Sequence, residues 1–206
     1  MELSALLALD ENDFRTEQFM FDLHGNVRDN SILDVKSTRN VFDDYDVSEK
    51  VLGDGSYSVV FRGQRRSNGE AVAVKTISKH LLFTEEERQA VKREIEYHSV
   101  LSHPNIIALY DTYETHLNIH MVLELCDGLT LDQFAKRCPG RVLTEPQART
   151  IFYQILSALS HLAETGLIHG DVKPQNILLQ NPALSSEVKA FFFVCMSESE
   201  RRDCDC

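Results

Sequence analysis

The chain has no tryptophan, and its 206 residues include only five cysteines and five prolines. The cysteines are Cys126, Cys138, Cys195, Cys204 and Cys206. They form no Cys-X-X-Cys pair and their number is odd, which argues against a zinc site and against a closed disulfide framework. A reducing compartment is therefore expected, either the cytoplasm or the nucleus.

Positive charge is also scarce, because 21 Lys and Arg face 32 Asp and Glu and leave a net charge of −11. Such a chain lacks the basic surface that nucleic acids and anionic membranes attract. Long hydrophobic runs are missing too, since the stretch FFFVCM at 191–196 is far too short to cross a bilayer. We predict no nucleic-acid partner and no membrane partner.

Acidic residues are concentrated at the start, where residues 1–46 hold eleven Asp and Glu against four Lys and Arg. The first residues also fail as a signal peptide, because an acid stands at position 2 and no basic segment precedes the short apolar run. Residues 1–44 are predicted to be an acidic, disordered leader.

From residue 46 the pattern becomes a series of short, valine-rich, alternating segments. Ser67-Asn68-Gly69 is a hairpin turn signal, and Thr84 with Glu87 forms a capping box that predicts the start of a helix. Strands are predicted at 46–54, 58–66, 70–78, 106–115 and 120–126.

After Cys126 the pattern turns helical. A second capping box at Thr144–Gln147 precedes an apolar stripe, and Gly166 ends it, which predicts a helix over 145–165. The stripe consists of Ile151, Phe152, Ile155, Leu159 and Leu162.

Three features suggest chemistry. Gly53 and Gly55 in a turn between strands allow backbone N–H groups to approach a phosphate, although most glycine pairs in turns are only turns. Lys75 lies within an apolar strand, where a lysine usually faces solvent, but Glu94 on the following helix offers it an ionic partner. The segment IHGDVKPQN at 168–176 places an acid, a lysine and an asparagine in one loop.

Five segments in order resemble a eukaryotic protein kinase: VLGDGSYSVVFRG, AVAVK, REIEYHSVLSHPNI, MVLELC and IHGDVKPQNILL. The resemblance covers residues 46–189. It implies an α+β fold with a kinase-like small lobe, comprising a five-stranded antiparallel sheet and one helix over 45–126. An incomplete helical lobe over 127–189 and a divergent tail over 190–206 would follow.

The resemblance also implies an ATP site. A loop over the phosphates would comprise Leu52, Gly53, Asp54, Gly55, Ser56, Tyr57, Ser58, Val59 and Val60. Ala73 would touch adenine, Leu123 would be the gatekeeper, and the backbone of Glu124 and Cys126 would bind the purine. Lys75, held by Glu94, would bind the α- and β-phosphates.

In the same resemblance, Asp171 is the catalytic base, Lys173 steadies the transferring phosphoryl group, and Asn176 is a Mg²⁺ ligand. ATP and Mg²⁺ are the implied cofactors, and a protein is the implied substrate. Lys173 favours serine/threonine specificity, and the sequence is most like the calcium/calmodulin-dependent group.

Three positions depart from the family. Gly170 replaces an arginine that pairs with activation-loop phosphate, Thr130 replaces an acid that contacts ribose, and Phe192 stands where the metal-binding Asp is expected. The magnesium site is therefore predicted to be incomplete.

Three interpretations stay open at this point. In the first, the chain is a serine/threonine kinase that ends before the Asp-Phe-Gly motif and is inactive alone. In the second, it is a non-catalytic module that binds a nucleotide or a partner. In the third, it is an aberrantly truncated product. Without the rest of a helical lobe, the stripe on helix 145–165 is expected to be exposed and to need a protein partner.

Overall fold

The structure is a computed structural model that describes residues 32–33, 39–180 and 188–190, the last three by their backbone alone. Five strands form one sheet in the order β1-β2-β3-β5-β4, with every neighbouring pair antiparallel. Their bounds are β1 Tyr45–Asp54, β2 Ser58–Arg65, β3 Ala71–Ser78, β4 Leu109–Glu114 and β5 Asn118–Glu124. The predicted α+β fold with a five-stranded antiparallel sheet is confirmed.

The alternating sequence of the strands places side chains on opposite faces of the sheet. Ala73 and Ile77 of β3 join Ile119, Met121 and Leu123 of β5 in the larger hydrophobic cluster. Their sequence neighbours face the other way, into a second cluster formed by Val41, Tyr45, Val72, Val74, Tyr113 and Val122. The sheet is therefore covered on both faces.

The predicted hairpin turn lies between β2 and β3. Gly69 has a φ of +75°, a left-handed conformation that glycine adopts without a Cβ clash, and its N–H donates to the Arg65 carbonyl at 2.9 Å. Local turn chemistry thus sets the register in which Val60 of β2 lies opposite Lys75 of β3.

The helix predicted from the capping box is α2, Glu85–Val100. Thr84 Oγ1 accepts from the Glu87 N–H at 3.1 Å, and Glu87 Oε2 accepts from the Thr84 N–H at 2.9 Å. Two of the helix's four free N-terminal donors are satisfied in this way. Val91 and Ile95 face the larger cluster, which fixes α2 on the same side of the sheet as Lys75.

A single turn of helix, α1 at Val41–Asp44, precedes β1. Asn40 caps it, and Val41 is fully buried in the second cluster. Ile32 and Leu33 are also buried, in the larger cluster. These packed residues fall inside the segment 1–44 that was predicted to be a disordered leader, so that prediction is wrong for residues 32–33 and 39–44, whereas residues 1–31 and 34–38 lie outside those described.

The helical part contains α3 at Leu131–Arg137, α4 at Glu145–Glu164 and a two-stranded sheet of β6 (Ile177–Leu179) with β7 (Val188–Ala190). Short 3₁₀ helices occupy Lys79–Leu81, Pro139–Arg141 and Pro174–Asn176. Within the described part of the chain, no helix combines the length and the apolar character needed to cross a membrane.

The expectation that the α4 stripe is exposed is wrong for most of its residues. Leu162 is buried with Leu101 and Ile106, and Leu159 packs against that cluster. Ile151 is buried against α3 and β6, with Ile155 packed beside it. The connection after α2, together with α3 and β6, covers the stripe, so the large apolar side chains of α4 that remain exposed are Phe152, Tyr153 and Leu156.

Candidate functional site

The glycine-containing segment predicted to lie over phosphates forms the end of β1, a tight turn and the start of β2. The Gly55 N–H donates to the Ser58 carbonyl at 2.8 Å, which closes the turn. A Cβ built on Gly53 would meet no atom within 4 Å. Residues 54–57 are exposed, so their backbone is open to a ligand.

Lys75 is buried, with 2% of its surface exposed, so the usual solvent-facing placement of a strand lysine does not apply. Its Nζ lies 2.6 Å from Glu94 Oε1, and the two side chains are 3% and 13% exposed. The ion pair joins β3 to α2, as the spacing of these two residues suggested. Because both charges are buried away from water, separating them would leave each one uncompensated. The ammonium is therefore held against Glu94.

The residues predicted to surround adenine lie beside this pair. Ala73 is buried and pairs with Leu123, the predicted gatekeeper, across β3 and β5. Glu124 ends β5, and its N–H donates to the Ala108 carbonyl at 2.9 Å. The Cys126 thiol is half-buried and donates to the Leu179 carbonyl at 3.4 Å. The segment after β5 is therefore tied to strand β6.

Two residues of this segment, Asp127 and Gly128, had not been predicted to matter. Arg62 on β2 forms an ion pair with Asp127, which ties the segment to the second strand. At Gly128 a Cβ would lie 1.4 Å from the Leu179 carbonyl oxygen, so no other residue fits without moving the backbone. Neither feature has a local sequence signal, because both partners are more than fifty residues away.

The predicted catalytic loop is ordered around Asp171. Its N–H donates to Nδ1 of the buried His169 at 3.1 Å. Asn176 Nδ2 donates to the Asp171 carbonyl at 3.0 Å and to Asp171 Oδ2 at 2.8 Å. Lys173 Nζ lies 2.6 Å from the same Oδ2. The three predicted catalytic residues are therefore in one hydrogen-bonded group.

These contacts keep Asp171 ionised. The hydrogen bond from Lys173 is the main cause that lowers the pKa of the Asp171 carboxyl, and the Asn176 amide adds to it, against partial desolvation. An ionised carboxylate is the form that can accept a hydroxyl proton.

Gly170 lies in the left-handed region with a φ of +74°. A residue with a Cβ is strained in this conformation, so glycine relieves the backbone immediately before Asp171. An arginine at position 170 would be strained in this left-handed conformation, whereas glycine is not.

The loop is attached to the small lobe through the strand that follows it. Leu178 of β6 packs against the cluster that contains Ala73 and Leu123. Leu178 also forms an isolated antiparallel β-bridge with Thr130. Thr130, predicted to stand at the ribose position, also caps α3 by accepting from the Gln133 N–H at 3.1 Å. The adenine-side residues and the Asp171 loop are therefore anchored to one structure.

The described residues fit magnesium only in part. Mg²⁺ favours an octahedral shell of oxygens from one or two carboxylates, phosphates and water. Asn176 offers an amide oxygen, but no group of three or more His, Cys, Asp or Glu suited to a metal occurs among the described residues. Phe192, at the position expected to carry the main carboxylate ligand, lies outside them.

Comparison with known proteins decides the family. The family model described as "Protein kinase domain" matches residues 46–193, which is most of the chain and runs four residues past the predicted boundary at 189. The chain belongs to the protein kinase family. Its relatives in this family are serine/threonine kinases, as the resemblance predicted.

Two relatives show the extent of the similarity. CBL-interacting serine/threonine-protein kinase 2 of Arabidopsis thaliana is 33% identical over 154 residues, which cover 75% of this chain and 33% of that protein. Serine/threonine-protein kinase ULK1 of Homo sapiens is 39% identical over 134 residues, or 65% of this chain and 12% of that protein. This kinase chain spans about a third or less of these relatives.

The crystal structure of Rad53 1-466 in complex with AMP-PNP has the same fold. The two superpose with a TM-score of 0.64 at 32% sequence identity, over 75% of this chain and 39% of that one. The similarity supports a kinase small lobe followed by a partial helical region.

Proposed function

We propose that this chain binds ATP between the β1–β2 turn and the Asp171 loop, as the nucleotide-binding part of a protein serine/threonine kinase. The observation that carries the proposal is the buried 2.6 Å pair of Lys75 and Glu94. It is supported by strand pairing, in which Val60 lies opposite both Lys75 and Gly53 of the glycine turn. A fixed cation there suits the α- and β-phosphates of a nucleotide. The AMP-PNP bound to the similar Rad53 chain supports this assignment.

The reaction we assign to the site is transfer of the terminal phosphoryl group of ATP to a protein hydroxyl. In this proposal Asp171 is the carboxylate that accepts the hydroxyl proton, and the 2.8 Å hydrogen bond from Asn176 would orient it. Lys173 would shift from Asp171 toward the phosphoryl group, since its pairing at the surface is weak. A bound divalent cation would supply further charge neutralisation, in addition to that from Lys75 and Lys173.

Phe192 favours a second candidate, nucleotide binding without efficient transfer. A phenylalanine cannot ligate magnesium, and charge neutralisation by metal is central to phosphoryl transfer. We therefore propose that the chain as given binds ATP but turns it over slowly.

A thermal-shift titration separates these functions. ATP should raise the melting temperature, because a ligand at one hundred times its Kd stabilises the folded state by about 2.7 kcal/mol. Added Mg²⁺ should increase this shift little. A large further increase with Mg²⁺ would show that the metal site is complete.

A phosphorylation assay on a generic serine/threonine substrate tests the transfer step. Turnover near that of an ordinary kinase, lost in Asp171→Asn, would overturn the proposal of slow transfer. Failure of ATP to stabilise the chain at any concentration would overturn the nucleotide site itself.

A further inference from the structure

A second buried ion pair lies outside the nucleotide site. Lys79 Nζ is 2.7 Å from Glu114 Oε1, and the two side chains are only 2% and 6% exposed. Lys79 begins the 3₁₀ helix that leads from β3 toward α2, and Glu114 ends the edge strand β4. Nothing in the proposed reaction uses this pair.

The Glu114 carboxylate also holds a segment more than eighty residues earlier in the chain. Its Oε1 accepts from the Ile32 N–H at 2.6 Å, and its Oε2 accepts from the Leu33 N–H at 2.9 Å. Both oxygens are therefore used by two consecutive backbone donors, and one of them also by Lys79. A buried carboxylate needs such partners to offset its desolvation.

The side chains of the held segment enter the core on the α2 side of the sheet. Ile32 and Leu33 are buried in the cluster that contains Val91 and Ile95 of α2. Ile95 directly follows Glu94, the partner of Lys75. Ile32 and Leu33 thus share a hydrophobic cluster with the helix that presents Glu94.

We propose that Ile32 and Leu33 form an intramolecular clamp, gripped by Glu114, that holds α2 against the sheet and keeps Glu94 in contact with Lys75. Glu114 is then a positioning residue for the nucleotide site. The clamp joins both ends of the connection between β3 and α2, through Lys79 at one end and the Val91 and Ile95 cluster at the other. Its effect on ATP rests on the proposed function, whereas its effect on α2 does not.

Hydrogen exchange in the full chain without nucleotide tests the clamp directly. In the double variant Ile32→Ala with Leu33→Ala, amides of 85–100 should exchange about tenfold faster or more, while the β2–β3 hairpin keeps its protection. Val41→Ala is the matched control, since Val41 is buried on the opposite face of the sheet. Unchanged exchange in α2, or equal acceleration in α2 and the hairpin, would overturn the clamp.

A second variant covers the case in which the alanine variant does not fold. Glu114→Gln combined with Lys79→Met removes both buried charges together, yet leaves one acceptor oxygen where the clamp needs two. Its melting temperature should stay near that of the unaltered chain while α2 exchanges faster. Full protection of α2 in this folded variant would also overturn the clamp.

ATP affinity separates this inference from the proposed function. The apparent affinity of the double alanine variant for ATP should fall in proportion to the fraction of molecules in which α2 stays docked, so displacement of α2 in about nine molecules of ten lowers it about tenfold. Equal affinity in the unaltered chain and in a variant whose α2 amides have lost their protection would overturn the link to Glu94. Absence of ATP binding in the unaltered chain would instead overturn the proposed function, and the exchange result would still decide the clamp.

Discussion

The small lobe and the Asp171 loop each contain a lysine–carboxylate pair with the same separation of 2.6 Å, yet the two pairs differ in burial. Lys75 and Glu94 are 3% and 13% exposed, whereas Lys173 and Asp171 are 48% and 39% exposed. The distance alone therefore says little about what each pair contributes. The burial of each pair decides whether the contact holds the charge in place or leaves it free to move.

A buried charge that loses its partner cannot regain water, whereas an exposed one can. The Lys75 pair therefore acts as a rigid connection between β3 and α2. The Lys173 pair is easily broken, which suits the movement from a carboxylate to a phosphoryl group that we propose for this lysine. The two pairs fit the two tasks we assign to them, binding a nucleotide and assisting transfer.

Glu94→Ala should have the largest effect on stability, a loss of roughly 3 to 5 kcal/mol, because it leaves the Lys75 ammonium buried and uncompensated. Chemical denaturation measures this loss. Adding Lys75→Met to Glu94→Ala should restore much of it. Glu96→Ala on the same helix is the control, since its contact with Lys92 is long and more exposed and should contribute little. Equal losses from the two single variants would contradict the importance of burial.

His120 sharpens the comparison, because it is a buried ionisable side chain in the same sheet with a neutral hydrogen-bond partner, the Thr76 hydroxyl at 2.9 Å. Desolvation lowers its pKa to about 4. The unfolded chain therefore binds this proton first, and stability should fall as the pH drops from about 6.5 to 4, by about 3 kcal/mol in total.

Denaturation curves across this pH range, compared with His120→Gln, measure the contribution of His120. The variant should lose less stability on acidification than the unaltered chain. The same pH dependence in both proteins would show that His120 is not the group that titrates.

Gly170→Ala should cost about 1 kcal/mol, since a Cβ is strained at a φ of +74°. This effect would exceed that of the neighbouring exposed ion pair, so backbone conformation would matter more to the loop than surface charge. Urea denaturation measures it, with Val172→Ala at the exposed neighbouring position as the control. A neutral or stabilising Gly170→Ala would contradict the need for glycine.

Lys173→Met should have the smallest effect on stability, because an exposed ion pair contributes little. The hydrogen bond from Lys173 is the main cause of the lowered pKa of Asp171, so the pKa of Asp171 should rise in this variant. NMR titration of the carboxyl resonance detects the change. An unchanged pKa would mean that Asn176 alone sets the ionisation of Asp171.

Local patterns were sufficient to predict the sheet, α2 and α4. The turn at Gly69 and the capping box at Thr84 depend on residues only a few positions apart, and both are present in the structure. The turn and the capping box were predictable because each is determined by neighbouring residues. For the Lys75–Glu94 pair, the strand and helix patterns offered only a partner, and the resemblance to the kinase family implied the contact.

Features that depend on distant partners were not predicted. Ile32 and Leu33 lie within an acidic segment, and only Glu114, far along the chain, shows why they are packed. The cover over α4 comes from Leu101, Ile106 and β6, none of which the helical pattern reveals. Gly128 is required by the Leu179 carbonyl, which the sequence does not place beside it.

Calorimetric titration of ATP into three proteins tests the central claim most directly. The unaltered chain and Lys173→Met should both bind ATP, whereas Lys75→Met should lose measurable binding because the buried ammonium is gone. Equal binding in all three proteins, or none in the unaltered chain, would contradict the claim that the Lys75–Glu94 pair organises a nucleotide site.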